Sequence, residues 1–488
     1  MRELPLWGAH APPRAGLGAI AQTTFSSSVR SQDGRRRWRR RQHARARALP
    51  GLGRTLAVLA VVGLGTITTA NAITLDAALS RTLEKNPQII QARLALEQAA
   101  GRRLVLRSTA YPDIRIQGLA GVQGGKRADE PPLQPFAFAR GFFTQPLFDA
   151  AVPASFRRGN IEVLIAQQRL NVAIVEQLHT TRVAFYTALY DDSLRTLGEA
   201  QRERLAQNVT TQSDRYSAGQ TNRAAIVNAQ LLERELEPRI HEVERGYEGA
   251  ILALTTAMGN SGETTRPAGQ LQFVRINYDV ASETSLALSE RADLQLARLM
   301  VRAAEEDQRI IEAQYYPALD AVVTGLGIPV TIHTANSGSA RTSDNVLTSE
   351  IAAGVAFTWR VIDNGLVGGQ VARQRAIREM NEISLRQLEA NTALDLKRIA
   401  NNFRAIESRW KSLNAAVSGA DQNVSVIQRT LEEGLSSQLE FRTAESSFLE
   451  TKSALLTAAY QQNLARAEWD RATGRYFQFS KDTTGKGR

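Results

Sequence analysis

The spacing of apolar positions changes several times along the chain, and each change marks an element. From about residue 154 to 217, and again from about 365 to 433, Ala, Leu, Glu, Gln and Arg dominate and Gly and Pro are scarce, which predicts two long helices. At 1.5 Å per residue these would be about 96 and 104 Å long. In the second, Val417, Ala420, Val424, Ile427 and Leu431 recur at spacings of three and four, the seam of a coiled coil. Gly219 and Gly434 follow the long helices and suit the left-handed turn that ends a helix. Shorter helices are expected at about 75–108 and 221–258, and at about 283–314 and 436–473. Each pair, end to end, matches the length of one long helix. Two short helices stacked beside one long helix make an antiparallel wall, far longer than the ~30 Å core of a bilayer.

Four segments change to a period of two, at about 112–123, 136–147, 318–329 and 350–361. The last is the clearest. Ile351, Ala353, Val355, Phe357 and Trp359 alternate with small or polar residues, the pattern of a lipid-facing barrel strand. The first shows it more weakly through Ile114, Ile116, Ala120 and Val122. In the second, Phe136, Phe138, Phe142 and Phe143 suggest an aromatic girdle. Four strands cannot sit in lipid with bare edges, so a membrane-spanning form must be an oligomer sharing one barrel. Three copies would give twelve strands, and two or four copies fit the same requirement.

The elements come twice. Tyr111-Pro112 recurs as Tyr316-Pro317, and the same offset of 205 relates Leu83 to Leu288, Arg93 to Arg298 and Ala99 to Ala304. Later the offset becomes 215, relating Gly219 to Gly434, Ala229 to Ala444 and Gly259 to Gly474, while Asp149 and Asp363 stand 214 apart. The extra residues therefore enter between Pro317 and Asp363. There, 331–349 reads as an exposed loop, with 124–132 as its counterpart.

Charge changes the picture only at the amino terminus. Residues 1–72 hold twelve arginines, eight of them between Arg35 and Arg47, against Glu3 and Asp33, which is +10 of the formal +11. The remainder is nearly neutral, so no basic face is left to bind nucleic acid. After the arginine block, an apolar run from Thr55 leads to Thr68-Thr-Ala-Asn-Ala72, a secretory signal with cleavage expected after Ala72. Beyond it no stretch is apolar for the ~18 residues a transmembrane helix needs. Cysteine is absent, which excludes disulfides, thiolate chemistry and an amino-terminal lipidated cysteine. His179, His241 and His333 are scattered, and no glycine-rich phosphate loop or nucleophile elbow occurs. Neither a catalytic constellation nor a cofactor or metal site is expected.

The segment plan is 1–72 leader; 73–111 helix; 112–148 strands and loop; 149–259 long helix, turn and helix; 260–282 irregular. It continues with 283–316 helix; 317–362 strands and a longer loop; 363–474 long helix, turn and helix; 475–488 tail. The fold class is an α+β membrane protein, internally duplicated, with a coiled-coil helical barrel and four strands per protomer in a shared β-barrel.

Leu75-Asp-Ala-Ala-Leu79, Asn86-Pro-Gln-Ile89, Tyr111-Pro112 and Gln145-Pro-Leu-Phe-Asp149 occur in that order. They are followed by Arg291-Ala-Asp-Leu294, Tyr316-Pro317, Trp359-Arg-Val-Ile-Asp-Asn-Gly365 and the two turn glycines. Over 73–475 the chain resembles the TolC family of outer-membrane efflux and type I secretion channels. The resemblance implies a homotrimer with a 12-stranded barrel in the outer membrane and a periplasmic tunnel of 12 helices. It also implies an equatorial belt from 260–282 and the residues after Tyr476. An adaptor and an inner-membrane transporter are expected to dock at the helical tips near Gly219 and Gly434. The family's acidic ring at the periplasmic constriction matches Glu440 and Thr443, and its tip tyrosine matches Leu431, so only Glu440 fits. A soluble periplasmic coiled-coil adaptor is the alternative reading. Amino-terminal sequencing of the exported protein should begin at Ile73; a start elsewhere would refute the cleavage assignment.

Overall fold

The computed structural model describes residues 72–124, 133–259, 264–276, 278–335 and 341–475, all within the unit Thr68–Arg488. The expected loop 124–132 (beyond Gly124), part of 260–282 and the tail after Tyr476 lie outside the described residues. The elements, in order, are β1 Ala72–Ile73, α1 Leu75–Lys85, α2 Pro87–Ser108, β2 Asp113–Gly124, β3 Leu133–Phe148, α3 Ala151–Ser217 and α4 Arg223–Ala257. The second half has β4 Arg266–Pro267, α5 Val280–Glu290, α6 Ala292–Glu312, β5 Ala318–Ala335, β6 Arg341–Thr358, α7 Leu366–Glu432 and α8 Gln438–Thr473.

The long helices α3 and α7 have 67 residues each, about 100 Å. Beside α3 lie α1, α2 and α4; beside α7 lie α5, α6 and α8; and α3 also touches α6 and α8, which joins the repeats. The seam expected on α7 forms. Val424 packs with Ala444 and Phe448, and Leu431 packs with Leu205, Leu236, Ile240 and Phe441. No described helix is long and apolar enough to cross a membrane.

Two expected helices are broken. The segment 75–108 divides at Asn86, because Pro87 disfavours a helical residue before it and leaves Asn86 extended. Asn86 then caps α2, accepting from Gln88 N at 2.9 Å, and its Nδ2 donates to Ala257 O at 2.9 Å. The segment 283–314 divides at Arg291, the counterpart of Asn86, although no proline follows it. Arg291 Nη1 donates to Ala472 O, the counterpart of Ala257, at 3.3 Å. The duplication thus extends to single hydrogen bonds. Arg93 donates to Leu83 O and Arg298 to Leu288 O, both at 2.9 Å. Asp149 accepts from Ala151 N, and Asp363 from Gly365 N and Val367 N, at the start of each long helix.

The sheet order is β2-β3-β5-β6, antiparallel throughout, with β2 and β6 at its open edges. Within the segment 331–349, expected as a loop, the described residues 331–335 and 341–349 are strand. The β5–β6 ladder continues to Ala335 opposite Arg341, because each pair formed places the next pair of backbone groups in register, an effect that composition does not register.

Between sheet and tips, 264–276 crosses the bundle. Its β4 pairs with β1 in parallel, Ala72 opposite Arg266, and Ile73 is buried against Phe185, Leu189 and Leu254. Asn463 donates to Gln272 O at 2.9 Å, Phe273 stacks on Trp410, and Tyr278 packs against Phe403 and Trp469.

Positive φ at Gly219 and Gly259 carries unequal cost. A Cβ on Gly219 would meet open space, whereas one on Gly259 would lie 2.5 Å from Lys85 O. Gly219→Ala should lower stability by about 1–2 kcal/mol. Gly259→Ala should lower it by more than about 3 kcal/mol, because the α1–α2 junction must move. Melting temperatures of the detergent-purified oligomer check this order.

Candidate functional site

The sheet has one apolar face and one polar face. Cross-strand partners share a face, so the registers join Ile114 to Phe143, Phe143 to Val323, and Leu319 to Phe357. Ile351, Val355 and Phe357 continue that face and are 79%, 63% and 62% exposed. The opposite face carries Arg115, Gln117, Arg140, Asp320, Thr324 and Glu350. An exposed apolar band backed by polar residues suits lipid outside and water inside.

Two expectations about this band need correction. Phe142 and Phe143 are adjacent in the strand and point to opposite faces. Phe138 and Phe142 belong to the polar face, where the Arg140 guanidinium lies 5.6 Å from the Phe142 ring, so the phenylalanines do not form one girdle. Trp359 lies just past β6, which ends at Thr358. Its indole N–H donates to Tyr315 O at 3.1 Å, anchoring the sheet to the end of α6.

At the other end, the two tip turns are copies of one another. Gly219 has φ 71° and Gly434 has φ 82°. Gln220 N donates to Arg215 O and Leu435 N to Thr430 O, both at 2.8 Å, which closes the last carbonyls of α3 and α7. Asn222 and Ser437 then cap α4 and α8. Leu435 and Leu439 stand 77% and 72% exposed beside the second turn, a signal readable only as leucines outside the seam.

Glu440 is exposed at the third position of α8. Its carboxylate accepts from Ser437 N at 2.8 Å, and Ser437 Oγ accepts from Glu440 N at 3.2 Å, a reciprocal cap. Leu431 is buried, and Thr443 returns its hydroxyl to Leu439 O.

Side chains far apart in sequence tie the repeats together. At the tips Arg204 grips Glu445 with two hydrogen bonds, 2.8 and 3.1 Å, and Arg215 donates to Leu431 O. Midway, Arg182 pairs with Asp470 and Arg471 with Glu176, both at 2.6 Å. Nearer the sheet, Arg157 holds Glu306 at 2.9 Å, and Arg158 bridges Glu162 and Asp307. Burial pushes Glu162 upward, but hydrogen bonds from Arg158 and Arg102 outweigh it and hold the carboxyl below its ordinary value. At Asp307 burial wins over Arg158 and raises the carboxyl.

The outer membrane efflux protein family matches residues 78–260 and 284–475, one segment for each repeat, and the chain belongs to this family. Three solved structures show the same fold. The Campylobacter jejuni CmeC outer membrane channel has a TM-score of 0.69 at 12% identity, covering 89% of this chain and 97% of that one. The outer membrane protein VceC of Vibrio cholerae gives 0.66 at 17% identity, covering 82% and 96%. The open state of the Neisseria gonorrhoeae MtrE outer membrane channel gives 0.66 at 15%, covering 82% and 88%. No curated protein matches the sequence. The protein is therefore an outer membrane efflux channel protein, its strands in the outer membrane and its helical columns in the periplasm.

A carboxyl held below its unfolded value contributes stability above about pH 4.3, and that contribution is lost as pH falls through the lowered folded value. Glu162→Gln should therefore cost roughly 1–3 kcal/mol at pH 7 and flatten the acid decline in melting temperature. An unchanged decline would show that Glu162 does not govern it.

Proposed function

We propose that three copies close their β2 and β6 edges into one twelve-stranded barrel and form the periplasm-spanning exit duct of a tripartite efflux pump. The observation that carries this reading is the apolar sheet face with two open edges, continuous with helical columns about 100 Å long. The duct is passive, with energy supplied by an inner-membrane transporter reached through a periplasmic adaptor. The adaptor meets the turns at Gly219 and Gly434, where Leu435 and Leu439 offer apolar contact beside the second turn. The family's efflux role favours a pump over type I protein secretion. A soluble adaptor would have no use for the bare apolar band of Ile351, Val355 and Phe357.

Crosslinkers placed beside Gly219 and Gly434 should capture an adaptor. The protein should fractionate with the outer membrane as a heat-sensitive oligomer. A soluble periplasmic monomer would refute the duct, and capture of a protein-secretion apparatus would redirect it.

Glu440 is proposed to ring the constriction, three carboxylates favouring cations. Glutamine keeps the cap hydrogen bond and removes the charge, so Glu440→Gln separates the two roles. Cation selectivity in planar bilayers should fall in this variant. Unchanged selectivity would leave Glu440 as a helix cap.

A further inference from the structure

Among the described residues, α3, α4 and α8 border a partly open cavity of about 210 Å³. Leu197, Leu236, Ile240 and Leu449 form its apolar wall, so both repeats contribute. An apolar cavity of about 150 Å³ holds benzene, so this one has room for a body of about eight to ten carbons.

Gly198 also lines the cavity and sits in the interior of α3, where glycine weakens a helix. Close packing does not require it, because an added Cβ would meet its nearest neighbour, Ile240 Cγ1, only at 3.7 Å. The glycine leaves room that a longer side chain would take.

The charges at the cavity are of one sign. Two arginines line it and no carboxylate does. Arg195 is taken up by Asp192 at 2.9 Å and by Glu199 at 2.8 Å. Arg239 is exposed and has no ion-pair partner among the described residues. Glu235, one turn away on α4, is held instead by Arg442 at 2.8 Å. The hydroxyls of the lining are already engaged: Tyr190 and Thr457 share a hydrogen bond of 3.0 Å, and Ser453 Oγ donates to Glu450 O at 3.0 Å. What remains is a guanidinium at the mouth of an apolar hollow. An anion paired there keeps its contact with water, so no charge has to be buried for the apolar part to enter.

The two residues that define this arrangement are not repeated. Gly198 and Arg239 correspond, 215 residues on, to Leu413 and Ala454. The second repeat has neither the glycine nor the charge.

We propose that this cavity binds a monocarboxylate with a compact apolar body of about eight to ten carbons, its carboxylate paired with Arg239 and its body among the leucines of α3, α4 and α8. Because α3 and α4 belong to one repeat and α8 to the other, an occupant adds apolar contacts across their junction. The inference goes beyond the exit-duct reading and does not rest on it.

The test is equilibrium dialysis against the detergent-purified full-length oligomer, with protein-free micelles as the blank. The probes are 2-naphthoate, octanoate and 2-naphthylmethylammonium, which carries the same rings and the opposite charge. Saturable binding of one 2-naphthoate per protomer is expected, about fivefold tighter than the cation. Tighter binding of octanoate than of 2-naphthoate would make the occupant a fatty acid, and the reverse an aryl acid, both within the proposed class. Arg239→Gln should weaken 2-naphthoate about fivefold and leave the cation no weaker. Gly198→Leu should fill the cavity and abolish the saturable component. If it fails to assemble, Gly198→Ala, for which there is room, should weaken binding at least about threefold, and Arg239→Gln, at an exposed position, still tests the charge. Purely linear uptake of both acids, equal affinity for 2-naphthoate and the cation in the unaltered protein, or binding untouched by the substitutions at 198 or 239 would overturn the proposal.

Discussion

Hydrocarbon contains no partner for a backbone N–H or C=O, and this protein presents a sheet with two open edges. Each unpaired group left in lipid costs several kcal/mol, so β2 and β6 are sustainable in a membrane only when paired across protomers. Every larger feature follows from that closure. The apolar face from Ile114 through Phe143 and Val323 to Phe357 turns outward, and the face with Arg140, Asp320 and Glu350 turns to water. The helices continuing from the strands must then stand in a ring, and the two repeats of each protomer supply successive columns.

Columns of this length have little core to hold them. The buried clusters are small and spaced along the bundle, and long-range ion pairs span the repeats between them. Pairs with one buried partner are a weak source of net stability, but breaking one leaves a buried charge without its partner. Arg204 with Glu445 and Arg157 with Glu306 therefore act mainly to fix which faces of the first and second repeats meet. The segment 264–276 and Tyr278 serve the same end through backbone bonds and the ring contacts of Phe273 and Tyr278.

The duplication shows how far one structural solution can be written in two chemistries. Asn86 and Arg291 stand at equivalent breaks and reach equivalent carbonyls, Ala257 and Ala472, one with an amide and the other with a guanidinium. The bond recurs although the residue differs. Gly198 against Leu413 is the opposite case, where equivalent positions hold residues of different size.

Local pattern by itself determined the helices, the four strands, the tip glycines and the repeat, because each is a property of neighbours in the chain. A period of 3.6 or 2 and a left-handed glycine need no distant partner. It did not determine the break at Arg291, which no proline announces, or the extension of β5 and β6 through a segment with the composition of a loop. Those depend on a carbonyl 181 residues away and on a ladder begun lower in the sheet. Nor could the pattern show that Phe142 and Phe143 part company or that Trp359 is anchored to Tyr315. Only the tertiary structure decides such matters, since hydrogen bonding and burial are settled by groups that meet after the chain has folded.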